Sequence, residues 1–240
     1  IVYVDGQRVD KAGTGIREDA EIIVKEDACP YVSRGGLKME KAIRAFNLDL
    51  KGKIAVDIGA STGGFTDCML KNGAEKVYAI DVGYGQLDWK LRNDPRVVNL
   101  EKTNVRYLET EKIPDKADFI SIDVSFISLK LIFPVAVKLL ADDGQLFCLV
   151  KPQFEAGREQ VGKKGIIRDK AVHAEVIEKV IRYGAENGLY PRGLDYSPMT
   201  GAKGNIEYLL LFDRHDTGQD YGPIIEAVVK KSHEELYEAR

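Results

Sequence analysis

The chain has 240 residues, 44% of them hydrophobic and 30% charged, with a formal net charge of -3. That is enough apolar material for one well-cored α/β domain with a small appendage, and the overall charge argues neither for nor against RNA, because local basic patches matter more. The scattered Cys29, Cys68 and Cys148 fit a reducing cytoplasm better than a disulfide framework, and without CxxC or His-rich spacing no metal site is expected. The longest membrane-like stretch, residues 129–140, is broken by Lys130, Pro134 and Lys138 and is too short to span a bilayer.

Residues 1–4, the Asp5-Gly6 pair and residues 7–9 read as a β-hairpin with a primed turn, and residues 20–24 supply a third strand. Such short strands cannot bury a core alone, so they read as part of a small domain. The chain opens at Ile1 with neither methionine nor apolar leader, as expected of a piece of a longer protein. The run VYVDGQRVDKAGTGIREDAEIIV resembles the C-terminal half of the S-four-type RNA-binding domain. The alternative is an ordinary β-rich extension packed on the main domain. Cys29-Pro30 makes a natural joint, which divides the chain into 1–30 and 31–240.

Ser33 can cap a helix whose apolar stripe is Met39, Ala42, Ile43 and Phe46. Lys38 falls off that stripe, where a merely solvated lysine would also lie. The stretch KIAVDIGASTGGFTDCMLKNGAEKVYAID, residues 53–81, is the centre of the reading. A buried strand over 54–58 runs into a glycine-rich turn, then a helix marked by Phe65, Cys68, Met69 and Asn72, then a strand over 77–80 that ends in Asp81. Asp81 falls where a nucleotide-binding βαβ unit places the carboxylate for ribose hydroxyls. The spacing Asp57-x-Gly59-x-x-x-Gly63-Gly64 puts Ser61 where a dinucleotide site needs its second glycine. It suits a ligand with ribose and carboxylate but no phosphate, such as S-adenosyl-L-methionine; a nicotinamide or a structural reading of the loop stays open.

A second glycine turn, residues 82–87, can close over the ribose and methionine end of a nucleoside. A short helix over 89–93 and a third strand over 97–100 follow, and Thr103 and Asn104 either reach an adenine or serve a turn. Residues 118–123 form a fourth strand ending in Asp123, followed by Val124-Ser-Phe-Ile-Ser128 and a helix to Leu140. Residues 145–150 form a fifth, ending in Lys151. In an open parallel sheet ligands sit beyond the carboxyl ends of the strands, so Asp57, Asp81, Asp123 and Lys151 are expected on one rim. The loop 154–167, with Gly157, Gly162 and Gly165 among Arg158, Lys163, Lys164 and Arg168, reads as a mobile basic lid or as a solvated charged loop. Val172, Val176 and Val180 mark a helix, and 190–197 and 207–212 a closing pair of strands. If the last strand inserts antiparallel, Glu207 joins the rim. Residues 213–221 read as a loop and Ile224, Val228, Ser232 and Leu236 as a final amphipathic helix.

Two lysines and two acids at a nucleoside rim suit methylation of a ribose 2′-hydroxyl. That hydroxyl is a poor nucleophile and needs a base, and a lysine serves only if its pKa falls from about 10.4 towards neutrality. Lys38 beside Lys151 would favour release of a proton, while Asp123 and Glu207 would orient the pair and oppose part of the shift.

The motifs YVSRGGLK, DIGASTGGFTD, DVGYGQLDWKLRNDPRV, SIDVSFIS, LVKPQFEAG and GNIEY, in order over residues 31–212, resemble the TlyA family of haemolysin-named, FtsJ-type ribosomal RNA 2′-O-methyltransferases. The resemblance implies a doubly wound, mostly parallel α/β fold of the Rossmann-like class I methyltransferases. It implies a catalytic tetrad of Lys38, Asp123, Lys151 and Glu207. S-adenosyl-L-methionine would be held by Asp57, Gly59, Ser61, Thr62, Gly63, Gly64, Phe65, Asp81, Val82, Gln86, Asn104 and Asp123. Ribosomal RNA would meet Arg34, Arg158, Lys163, Lys164 and Lys203, and the family's targets are cytidine riboses. Two other classes are weighed against this enzyme: a membrane-damaging protein, and an RNA-binding module with an inactive nucleotide site.

Overall fold

The structure is a computed structural model that describes residues 2–9, 13–24, 29–162, 164–201 and 203–238. The chain forms two compact units, Ile1–Pro30 and Tyr31–Arg240. In the first, β1 (Val2–Val4) pairs antiparallel with β2 (Gln7–Arg8) and with β3 (Ile22–Val24), in the order β2-β1-β3. The hairpin is closed by Asp5 and Gly6, both left-handed at φ 49° and 79°, the conformation a primed two-residue turn requires.

The second unit begins with α1 (Gly35–Phe46), then β4 (Ile54–Ile58), α2 (Gly64–Lys71), β5 (Lys76–Ile80), α3 (Trp89–Arg92) and β6 (Val97–Leu100). It continues through β7 (Ala117–Ile122), α4 (Phe133–Leu139), β8 (Leu140–Val150), α5 (Pro152–Glu155), α6 (Lys170–Ala185), β9 (Tyr190–Tyr196), β10 (Tyr208–Asp213) and α7 (Gly222–His233). Seven strands make one sheet in the order β6-β5-β4-β7-β8-β10-β9. The first five are parallel; β10 runs antiparallel to both β8 and β9. Strand order reverses between β4 and β7, and there the crevice opens for a ligand.

Strand periodicity explains the layers. On β8, Leu146, Cys148 and Val150 face the core made with α4, α6 and α7, whereas Phe147 and Leu149 face the core made with α1 and α2. Met39 and Ala42 of α1 and Phe65, Cys68 and Met69 of α2 fill that second core. Phe65, expected from sequence among the cofactor residues, packs at 5.9 Å from Phe147 in this core and is not among the residues that line the cleft described below. Ser33 does not cap α1 either: Arg34 is the N-cap residue, with no side-chain cap bond. The Ser33 hydroxyl lies in the tight α1–α2 contact, where a Cβ on Gly64 would strike it.

Phe147 has no exposed surface. Phe147→Ala is expected to lower unfolding free energy by about 3–5 kcal/mol, read as a fall in the urea midpoint at unchanged slope.

Candidate active site

Four segments deliver the four tetrad residues to one end of the sheet. Asp123 follows β7 and Lys151 follows β8. Because β10 is antiparallel to β8 with Tyr208 opposite Val150, Glu207 arrives beside that same end. Lys38 comes from α1, one position away from the buried Met39. Lys38 Nζ meets Glu207 Oε2 at 2.5 Å, with side chains 13% and 5% exposed. Lys151 Nζ meets Asp123 Oδ1 at 2.5 Å and donates to Ser125 Oγ at 3.0 Å. The Asp123 contact is a charge pair off the hydrogen-bond direction, and Oδ1 makes no aligned hydrogen bond among the described residues.

Two clefts flank these pairs. One, of about 430 Å³, is lined by Gly59, Ser61, Asp81, Val82, Gln86, Thr103, Asn104 and Asp123, with Ile58, Ile80, Val105, Ile127 and Ile132 as its apolar wall. The other, of about 380 Å³, is lined by Lys38, Lys151, Gln153, Phe154, Lys203, Asn205 and Glu207. Ser125 and Phe126 line both. The clefts are thus neighbours across one loop.

The walls of the first cleft are set by hydrogen bonds to carboxylates. Asp81 accepts Ser61 N–H on Oδ2 at 2.8 Å and Gly83 N–H on Oδ1 at 2.7 Å, tying the two glycine turns together. Glu101 accepts Gln86 N–H at 2.9 Å and Arg92 at 2.5 Å. Its burial alone would raise the carboxyl's pKa, but the backbone N–H groups of Leu87, Gly85 and Gln86 with Arg92 hold it down to about 2. Gly59 sits at φ 88°, and a Cβ there would strike the Asp123 carbonyl.

Several expected cofactor residues lie elsewhere. Asp57 shares its face of β4 with Ala55, so its side chain turns under the loop towards α2 rather than out to the rim. It is fully buried, accepting Thr66 Oγ1 at 2.7 Å and Ser121 Oγ at 3.0 Å. Burial pushes its pKa up to about 6, with Asp123 adding to the rise and the two hydroxyls opposing it. Gly63 caps α2 at φ 94° against Leu87 and Leu91, Gly64 packs on α1, and Thr62 is exposed with its carbonyl bound to Asp88 N–H. These four shape the loop without lining the cleft.

Of the expected RNA contacts, Lys203 lines the second cleft, and Arg34, Arg158 and Lys164 are not; Lys163 lies outside the described residues. The end of the basic loop is tied down: Asn205 accepts Ile167 N–H at 3.0 Å and donates to Gly165 O at 2.8 Å. Ser125, Phe126, Gln153 and Phe154 were not singled out from sequence, although VSFIS and KPQFE carry them. Phe126 is 86% exposed and left-handed at φ 63°, unusual for a bulky side chain.

A parallel sheet with a nucleoside-shaped cleft at its switch point, beside paired lysines and acids, defines a methyltransferase of the class I fold. The FtsJ-like methyltransferase family model matches residues 31–214, and the chain belongs to that family. It is 50% identical over 248 residues to a Bacillus subtilis protein provisionally named rRNA methyltransferase YqxC, covering 100% of this chain and 87% of the relative. It is 43% identical over 210 residues to the 16S/23S rRNA (cytidine-2′-O)-methyltransferase TlyA of Mycobacterium tuberculosis, covering 87% of this chain and 78% of that one. A solved Streptococcus thermophilus structure, provisionally named a hemolysin, superposes with TM-score 0.87 at 49% identity, covering 98% of this chain and 86% of that one.

Burial makes the folded chain hold the Asp57 proton more tightly than the unfolded chain does. The group therefore weakens the fold as pH rises from 3.8 through about 6. Asp57→Asn removes that slope. Relative to wild type it is expected to gain about 2–3 kcal/mol of unfolding free energy between about pH 4 and pH 7, measured by urea unfolding at both; equal wild-type and variant slopes would contradict this.

Proposed function

We propose that this protein transfers a methyl group from S-adenosyl-L-methionine to the 2′-hydroxyl of a cytidine ribose in ribosomal RNA, in the cytoplasm. The supporting observation is the pair of clefts that meet at Ser125 and Phe126, one lined by Asp123 and shaped for a nucleoside, the other lined by Lys38, Lys151 and Glu207.

The first cleft fits the donor. Each Asp81 oxygen takes one backbone N–H and keeps a lone pair for a ribose hydroxyl. Val82, Val105 and Ile132 offer an apolar slot for a flat base, with Asn104 and Gln86 as polar ends. Gly59 lets the Asp123 backbone close against the glycine turn, and Ser61 adds a polar side chain to the lining. When bound, S-adenosyl-L-methionine supplies a methyl group made electrophilic by a sulfonium.

The chain's own residues do the rest. Lys151, in its neutral form, serves as the base that takes the ribose hydroxyl proton, and Asp123, which lines the donor cleft, meets Lys151 between the two clefts and balances the charge it gains. Lys38, fixed by Glu207, places a second cation on the acceptor side. The main contribution is in-line positioning of the acceptor oxygen. Exposed Phe126, with Phe154 at 4.9 Å, offers a stacking face for a base turned out of its helix. Arg34, Arg158, Lys163, Lys164 and Lys203 supply cations for the phosphate backbone.

A second reading, membrane damage, takes its motive from the hemolysin name that the solved relative carries. Among the described residues no helix is long and apolar enough to cross a membrane.

The decisive experiment maps 2′-O-methyl groups on ribosomal RNA incubated with protein and donor; a new methyl at a cytidine ribose is expected, and none, with liposome leakage instead, overturns the reading. Lys151→Ala is expected to cost about 10²–10⁴-fold in transfer with donor affinity by calorimetry unchanged. Phe126→Ala should lower kcat/KM for RNA about 5–100-fold, the worth of one stacked base.

A further inference from the structure

The loop of residues 124–128 is gripped in successive rungs by the segment that ends β8. Ser125 Oγ accepts from Lys151 Nζ at 3.0 Å. The Phe126 and Phe154 rings lie 4.9 Å apart, tilted by 48°. Ser128 Oγ donates to Glu155 Oε2 at 2.6 Å, and Leu129 N–H donates to Glu155 Oε1 at 2.8 Å. Glu155 is itself 5% exposed, so the lowest rung is a buried charge held by two donors. These rungs keep Phe126 at a backbone angle that an isolated bulky residue would leave.

The grip matters for the lysine. The Asp123 contact brings charge to 2.5 Å but is not aligned as a hydrogen bond, so it settles how far Nζ sits and not which way its bonds point. Among the described residues the one aligned hydrogen bond of Lys151 Nζ goes to Ser125. Ser125 also belongs to both clefts.

We propose that Ser125 is a positioning residue: by accepting one N–H of Lys151, it turns the remaining face of Nζ towards the acceptor cleft. This rests on Lys151 acting as the base. In that step Lys151 is neutral: the ribose O–H bond breaks and its proton joins the Nζ lone pair, while the oxygen's electron pair forms the new bond to the methyl carbon as that carbon's bond to sulfur breaks and leaves its pair on sulfur. A lone pair that faces elsewhere receives no proton, whatever the charge beside it.

The test uses the full chain with S-adenosyl-L-methionine and ribosomal RNA, comparing Ser125→Ala, Ser125→Thr and Lys151→Ala. Ser125→Ala is expected to lose about tenfold in kcat with KM for RNA, donor affinity and melting temperature close to wild type. Ser125→Thr, which keeps the hydroxyl, should recover most of the loss. Wild-type kcat in Ser125→Ala, a loss carried by KM, or failure of threonine to rescue would each overturn the proposal. Should Lys151→Ala keep its activity, the catalytic reading itself falls; an inactive Lys151→Ala beside a fully active Ser125→Ala sinks only the role of Ser125.

Discussion

Two ammonium groups and two carboxylates stand largely out of water at one end of the sheet, and such groups are tolerable only in pairs. Side chains at 13% and 5% exposure for Lys38 and Glu207, and 10% and 22% for Lys151 and Asp123, leave little solvent to share the charge. Deleting either partner strands a buried ion, at a typical cost of about 3–5 kcal/mol. The architecture follows from this demand. Glu207 reaches the rim because β10 inserts antiparallel between β8 and β9, so its start lies where β8 finishes. A parallel insertion would send Glu207 to the opposite edge and leave Lys38 without an acid. The helix α1 must also cross the sheet at an angle that buries Met39 while Lys38 still reaches the carboxylate.

Carboxylates inside the loops work differently. Asp81 spends one lone pair per oxygen on the Ser61 and Gly83 amides, which fixes the two glycine turns relative to each other and keeps the outward lone pairs free. Asp57 is a tie between β4, α2 and β7, in a place so dry that its charge is disfavoured. One strand end therefore carries an acid that faces a cleft, and another an acid that braces the floor beneath it. Their residue type is the same; the pleat decides.

That difference explains what could be read from sequence. Asp123, Lys151 and Glu207 were legible as a shared rim, since parallel strands end together and the antiparallel return was a definite alternative. The same argument put Asp57 on the rim, whereas its side chain is buried beneath the loop, because a strand end defines a position along the axis and not the face on which a side chain lies. Phe65 and Gly64 belonged to a glycine-loop pattern yet serve core packing against Phe147 and α1. Lys38 looks like a solvated lysine in its helix, and a partner 169 positions away removes it from solvent. Only the family resemblance marked it. Ser125 and Phe126 left no periodic signal at all, because a loop held by side-chain rungs has no period.

The charge of the tetrad cancels in pairs, so it cannot by itself draw a polyanion to the clefts. On the proposed reading that task falls to cations at the margin: Arg34, Arg158, Lys164 and Lys203 form no ion pair among the described residues, whereas Lys41, Lys71, Lys76 and Arg92 are paired elsewhere. Of the first four only Lys203 lines the acceptor cleft, and on a chain whose formal net charge is -3 such local unpaired cations would give RNA a place to bind that the overall charge does not. Affinity and catalysis are thereby assigned to different side chains. The rim can hold phosphate while Lys151 stays committed to Asp123 and Ser125, which is what a base needs if it is to meet the ribose hydroxyl rather than the backbone that carries it.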